Sequence, residues 1–88
     1  MLSNKQIVER WRVGKLGKNR SMTSTGDRLF SYDTVICQRL DGGSIIRNDT
    51  KYSHTTTKHQ SLSHVPQPNY IVTNVSRGVT NLQEYIKE

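Results

Sequence analysis

The chain has 88 residues, of which 32% are hydrophobic, and its formal net charge is +6. This length fits a single domain, residues 1–88, and excludes a second independent core. The single cysteine, Cys37, excludes an intramolecular disulfide, and no apolar run approaches the roughly 20 residues that cross a bilayer. We therefore expect an intracellular protein. Its low apolar content favours a bound partner or a homo-oligomer that adds buried surface.

A helix is predicted from Asn4 to Arg12. It opens on a Ser-x-x-Gln capping box at residues 3–6, in which each side chain satisfies the backbone N–H of the other residue. The apolar residues that follow share one helical face and include Trp11, which is assigned to the core for that reason. Two glycines then predict a loose basic loop, and the polar residues 19–27 predict a series of turns.

Four extended segments are predicted after these turns. Polar and apolar residues alternate from Leu29 to Leu40, which is typical of one half-buried strand. The Asp-Gly-Gly sequence at residues 41–43 predicts a tight turn, and Ser44 to Arg47 returns as the partner strand. Two further extended segments are predicted from Tyr52 to Thr56 and from Tyr70 to Val75.

Two further capping-box patterns predict helices in the second half of the chain. Thr57-Lys58-His59-Gln60 predicts a short helix from Lys58 to about His64, and residues 80–83 open a C-terminal helix. The predicted class is therefore α+β. We expect a small antiparallel sheet of three to four strands with an N-terminal and a C-terminal helix packed on it.

Most of the positive charge lies near the N-terminus. Six cations and only one anion, Glu9, fall within the first 20 residues. A concentrated basic surface favours a polyanionic partner, and nucleic acid is the partner that we predict. No sequence motif of a known nucleic-acid-binding fold is present, so this prediction rests on charge. The six predicted binding residues are Lys5, Arg10, Arg12, Lys15, Lys18 and Arg20.

The run from Tyr52 to Gln60 contains two imidazoles, an ammonium group, a phenol and four hydroxyls. Such a run can bind phosphate, supply the acid and base of a small RNase, or simply form a strand and a helix cap. We predict no metal and no cofactor, because histidines five residues apart do not share one face of a strand or of a helix. The second predicted binding patch consists of Tyr52, His54, Lys58 and His59.

Three short segments carry a further pattern. They are W-x-x-G-K at residues 11–15, L-[YF]-S-Y at residues 29–32 and Y-S-x-T-T-x-K-H at residues 52–59. Together they resemble a family of small uncharacterised proteins from tailed bacteriophages and other mobile elements. The resemblance implies a phage or mobile-element origin, and hence the cytoplasm of a host cell, without implying a particular activity.

These observations favour a small basic accessory protein that binds nucleic acid without catalysis. The alternative is an effector that uses the same charge to bind and inhibit a host defence protein complex. A third hypothesis is a small metal-independent RNase. Catalysis has the weakest support of the three, because a helix cap also explains the Thr57–Gln60 segment.

Overall fold

The computed structural model describes residues 2–52, 54–63 and 68–86, which form a six-stranded sheet, two α-helices and a short 3₁₀ helix. None of the helices in these ranges is long and apolar enough to cross a membrane. The elements in chain order are α1 (Asn4–Arg12), β1 (Leu16–Lys18), β2 (Met22–Thr25), β3 (Arg28–Ser31), β4 (Thr34–Arg39), β5 (Ile45–Asn48), α2 (His54–Leu62), β6 (Tyr70–Val72) and the 3₁₀ helix (Leu82–Tyr85).

The strands lie side by side in chain order from β1 to β6. Strands β1 to β5 pair antiparallel, and β6 pairs in parallel with β5 after the chain has passed through α2. The α+β class is therefore confirmed, whereas the predicted count of three to four strands is wrong and the sheet is mixed. Strands β1 and β2 are only three and four residues long. They occupy residues predicted as loop and turns, because so short and polar a segment shows no period-two apolar pattern.

Helix α1 has the predicted bounds and packs on the sheet through its apolar face. Its capping box is formed: the Ser3 hydroxyl accepts from the N–H of Gln6 at 3.2 Å, and the Gln6 side chain accepts from the N–H of Ser3 at 2.8 Å. Trp11 is 1% exposed, which confirms its assignment to the core, and its indole N–H donates to the carbonyl of Asp27 at 2.9 Å. The first core cluster consists of Ile7, Val8, Trp11, Met22, Leu29, Ile36 and Cys37.

The segment predicted as one strand from Leu29 to Leu40 is a hairpin. Tyr32 and Asp33 turn the chain between β3 and β4, and Tyr32 has a φ of 57°. A β-bulge in the pairing of these strands then lets Ile36 and Cys37, which are neighbours in sequence, both join the first core cluster. Strict alternation does not allow two consecutive inward residues, so the predicted alternation along this segment fails at the bulge.

Helix α2 replaces the extended segment predicted from Tyr52 to Thr56, and Thr57 lies inside this helix rather than at its cap. The side chain of Gln60 closes no capping box and instead donates to the carbonyl of Asn48 at 2.7 Å. The predicted end of the helix at His64 lies outside the described residues. Helix α2 packs on the sheet through a polar face, which a search for apolar periodicity cannot detect. The buried residues on this face are Thr56, His59 and, just after the helix, Ser63.

The residues that follow β6, residues 73–86, cover the other side of the sheet over β4, β5 and β6. We call them the C-terminal segment. Strand β6 is shorter than the predicted strand Tyr70–Val75, and the predicted C-terminal helix is a single 3₁₀ turn capped by Asn81. Leu82 in this turn is completely buried, and its N–H donates to the Gln38 side chain at 2.7 Å. The second core cluster consists of Val35, Ile46, Val72, Val75 and Leu82.

Candidate nucleic-acid interface

All six predicted basic residues near the N-terminus are exposed. Lys5 and Arg12 are seven residues apart and so share one side of α1, whereas Arg10 lies about 140° around the helix from Lys5. The Arg10 guanidinium reaches toward β1 and donates to the carbonyl of Leu16 at 3.1 Å. The remaining three cations lie in or beside β1. The six residues, which we call the N-terminal basic surface, are Lys5, Arg10, Arg12, Lys15, Lys18 and Arg20.

Asn19 fixes the turn that carries Lys18 and Arg20. Its side-chain oxygen accepts from the N–H of Ser21 at 2.9 Å, which is the geometry of an Asx turn. Its side-chain amide donates to the Asn4 side-chain oxygen at 2.8 Å. The turn is therefore tied to the first residue of α1, which fixes the backbone positions of Lys18 and Arg20 relative to the helix.

A groove of about 390 Å³ lies beside the exposed side of α1 and mixes apolar with charged side chains. Val13 in this groove is 68% exposed, and Leu16, which follows Lys15, is 70% exposed. Apolar side chains of this kind beside cations suit a protein partner better than they suit phosphate groups. The groove is lined by Leu2, Gln6, Glu9, Arg10, Val13 and Lys15.

The described side chains of the second predicted patch do not form one surface. Lys58 is exposed on α2, but His59 is only 2% exposed. Tyr52 is half-buried, and its hydroxyl donates to the carbonyl of Val75 at 2.5 Å. His54 is the first residue of α2. Tyr52 and His59 therefore hold α2 and the C-terminal segment against the sheet, a role that the sequence run alone does not distinguish from binding.

His59 lies in a buried hydrogen-bond network that joins both helices to β3. Its Nδ1 is 2.6 Å from Ser31 Oγ, and its Nε2 is 3.3 Å from the side-chain amide nitrogen of Asn4. The amide nitrogen is a donor, so Nε2 accepts and the proton of the neutral ring lies on Nδ1. The Ser31 hydroxyl then donates to Thr56 Oγ1 at 3.3 Å. Burial lowers the pKa of His59 below 6.5, which keeps the ring neutral at physiological pH.

This histidine predicts a loss of stability in acid. Because folding lowers the pKa of His59, the unfolded chain takes up this proton more readily, and the free energy of unfolding falls as the pH drops below about 6.5. We expect urea unfolding to give a smaller free energy at pH 5 than at pH 7.5. We also expect the difference to shrink in the variant His59→Gln. The same pH dependence in both proteins would assign acid stability to other groups.

A cavity of about 180 Å³ lies between the β3–β4 turn, α2 and the C-terminal segment. Tyr32 at this cavity is 54% exposed and has a positive φ, a conformation that bulky residues rarely adopt. Of this site, sequence reasoning predicted only Tyr52, because the other residues come from a segment interpreted as mid-strand, from α2 and from the distant turn at Arg77. The cavity is lined by Ser31, Tyr32, Asp33, Thr34, Tyr52, Thr56 and Arg77.

Cys37 occupies the ordinary strand position that its apolar neighbours predict. Burial raises the pKa of its thiol to about 11, so the nucleophilic thiolate is scarce at neutral pH. Its Sγ is 3.8 Å from the hydroxyl of Ser63, which helps to seat the end of α2. Within residues 2–52, 54–63 and 68–86, no three His, Cys, Asp or Glu side chains are grouped to hold a metal ion.

Comparison with known proteins places the chain in a family. The model of DUF8033, a family of unknown function, matches residues 4–77 of the 88 residues. No curated protein and no solved structure matches the chain. The matched range includes both α-helices, all six strands, the N-terminal basic surface and the residues that line the cavity. The chain therefore belongs to the DUF8033 family, whose function is unknown.

Proposed function

We propose that this protein binds nucleic acid, without catalysing a reaction on it, through the N-terminal basic surface. The observation that carries the proposal is that all six cations are exposed, while Glu9 is the one acidic residue among them in sequence. Lysine and arginine side chains pair with backbone phosphates, and the release of condensed counterions drives such association. The proposal includes a phage or mobile-element origin and action in the host cytoplasm, which the sequence resemblance supports.

The arrangement of the surface supports a backbone-tracking mode of binding. The turn at Lys18 and Arg20 is tied through Asn19 to the start of α1. The backbone positions of the two sets of cations are thereby fixed before binding, so binding orders less backbone than a flexible basic tail would. Phosphate contacts of this type fix position on the nucleic acid and carry no sequence information by themselves.

A salt titration tests the proposal. Purified protein is titrated against labelled single-stranded and double-stranded DNA and RNA at several salt concentrations. We expect sub-micromolar binding at low salt, with a logarithm of the association constant that falls by about 0.9 per phosphate contact for each tenfold rise in salt on a duplex. Absence of binding at low salt would overturn the proposal.

A protein-binding effector is the second candidate, and the exposure of Val13 and Leu16 favours it. These side chains are 68% and 70% exposed, and they flank the exposed Lys15. An acidic host surface with an apolar patch, as in a defence complex, would match this combination. The test is a complex recovered from host lysate after nuclease treatment. Its loss in the double variant Val13→Ser, Leu16→Ser would support this candidate, and its retention would count against it.

The third hypothesis, a metal-independent RNase, is tested by the same titration when RNA product sizes are followed on a gel. The position of His59 does not favour it, because both ring nitrogens are engaged, by Ser31 and by Asn4. A general acid or base must reach the proton that it transfers. RNA that is shortened by the wild-type protein but not by His54→Ala would restore this hypothesis. RNA that the wild-type protein leaves intact would reject it.

A further inference from the structure

We infer that the cavity beside Tyr32 holds one unpaired guanine base of a single-stranded nucleic acid. The inference rests on the proposed function and deepens it, because it supplies base recognition that phosphate contacts lack. The cavity has a volume of about 180 Å³ and is partly open to solvent, which suits the insertion of one planar base.

An acid and a base face this cavity without pairing with each other. Asp33 and Arg77 both line it and both are exposed. In the part of the chain that the structure describes, no ion pair and no hydrogen bond joins their side chains. Among the described residues, the Asp33 carboxylate accepts from the hydroxyl of Thr34, at 3.2 Å. Asp33 therefore retains acceptor capacity, and the guanidinium of Arg77 retains its donors, for a ligand that fits between them.

Guanine matches this pair better than the other bases do. Its N1–H and N2 amino group are adjacent donors that fit a carboxylate, and its O6 and N7 are adjacent acceptors that fit an arginine fork. Adenine presents only one donor group, and uracil a single N–H. Cytosine presents one amino group to a carboxylate. Its acceptors lie on the same pairing edge as that amino group, so they cannot meet an arginine fork on the opposite edge. Asp33 and Arg77 are thus assigned to opposite edges of one guanine.

Tyr32 supplies the stacking surface. The residue is 54% exposed, and its ring centroid lies 5.9 Å from that of the buried His59 ring at an angle of 41°. Tyr32 thus contacts the buried histidine and still exposes more than half of its accessible surface for stacking. A positive φ in a bulky residue is costly and persists only where the surroundings impose it, often at a functional site.

The cavity adjoins the N-terminal basic surface through a short series of contacts. The N–H of Tyr32 donates to the carbonyl of Ser21 at 2.8 Å, and Ser21 directly follows Arg20. Asn4, which precedes Lys5, contacts the same His59 that supports Tyr32. In the proposed complex, a strand whose phosphates contact Lys5 and Arg20 turns one base into the cavity.

The test compares four RNA oligouridines that carry guanine, adenine, cytosine or uracil at the central position. Each has about nine nucleotides, a length within the usual site size. The wild-type protein should bind the guanine oligomer about tenfold more tightly than each of the others. Inosine, which lacks the N2 amino group, should lose part of this preference. The deoxy forms of the same oligomers show whether the sugar matters.

Asp33→Asn should abolish the guanine preference, because the amide replaces one of the two acceptor oxygens by an NH2 donor that faces a donor of the base. Arg77→Lys, which keeps the charge but loses the fork, should reduce it as well. The matched control is Asp41→Asn, the same change in the exposed β4–β5 turn, and it should keep the full preference. Equal binding of all four oligomers would overturn the base site and leave the basic surface standing. Unchanged preference in Asp33→Asn would also overturn the base site, and no binding of any oligomer would overturn both proposals.

Discussion

Replacing Lys15, Lys18 and Arg20 together by glutamine should lower the affinity for nucleic acid by a factor of about 10² to 10³ at 0.1 M salt. Each phosphate contact on a duplex lowers the association constant by about 0.9 decades for each tenfold rise in salt. Three contacts therefore contribute between about two and three decades of affinity at 0.1 M salt, counted from their contribution at 1 M salt. The triple variant loses this contribution. The slope of the salt dependence should become shallower by about three. Fluorescence anisotropy with a labelled duplex measures both quantities.

A pair of single variants separates the surface from the overall charge. Lys18→Gln and Lys51→Gln change the net charge equally, and both lysines are exposed. Only Lys18 belongs to the N-terminal basic surface, and only its loss should reduce the salt slope by about one. Equal losses of affinity in the two variants would mean that total charge, rather than this surface, attracts the nucleic acid.

Replacing Trp11 by alanine should cost about 3–5 kcal/mol of stability, the usual range for a large aromatic side chain in a core. The side chain is 1% exposed, its indole N–H donates to the Asp27 carbonyl, and the Arg39 guanidinium lies 5.0 Å from the centre of its ring. A domain of 88 residues has a total stability of roughly 4–13 kcal/mol. We therefore expect much of the Trp11→Ala protein to be unfolded in mild urea, as monitored by far-ultraviolet circular dichroism.

The variant Trp11→Phe is the matched comparison. It keeps an aromatic ring in the first core cluster and loses the indole N–H, so its cost should be smaller, about 1–3 kcal/mol. A midpoint for Trp11→Ala close to that of the wild type would contradict the assignment of this residue to the core. Arg39 also donates to the carbonyl of Trp11 at 2.8 Å, and this backbone contact is available in both variants.

The parts of the fold that the sequence predicts are those with strong local signals. Helix α1 follows from a capping box and an apolar face, and the structure shows both. The turn after β4 follows from two glycines, and Gly42 and Gly43 both have positive φ, at 89° and 92°. In these segments local chemistry and tertiary packing favour the same conformation, so a pattern in one stretch of chain is sufficient.

Helix α2 shows why other parts were not predictable. Three consecutive threonines favour a strand by intrinsic propensity, yet this segment is helical. The buried residues here, Thr56 and His59 within the helix and Ser63 just after it, have helical spacing, but all three are polar. Their burial depends on partners elsewhere in the chain, including Ser31 and Cys37. A pattern search that counts only apolar residues cannot detect a helix held by hydrogen bonds.

The candidate site likewise has one part that the sequence predicts and one part that it does not. The cations of the N-terminal basic surface are close in sequence, and charge is readable without a fold. The cavity could not be predicted, since Asp33 and Arg77 come together through contacts between their neighbours. The Val35 N–H donates to the carbonyl of Val79 at 3.0 Å. The Gly78 N–H donates to Thr34 Oγ1 at 2.9 Å. Residues so distant in sequence become neighbours only through the complete topology.

The C-terminal cover of the sheet has a practical consequence for choosing the ends of a fragment. The family match stops at residue 77, before the 3₁₀ helix. A chain trimmed to that match would retain every strand but lose Leu82, which is completely buried in the second core cluster with Val35 and Ile46. It would also lose the partner of Gln38, whose side-chain amide donates to Asn81 at 2.9 Å. Fragments prepared for binding assays should therefore extend at least through Ile86, because a boundary set by sequence similarity would leave one side of the sheet open to water.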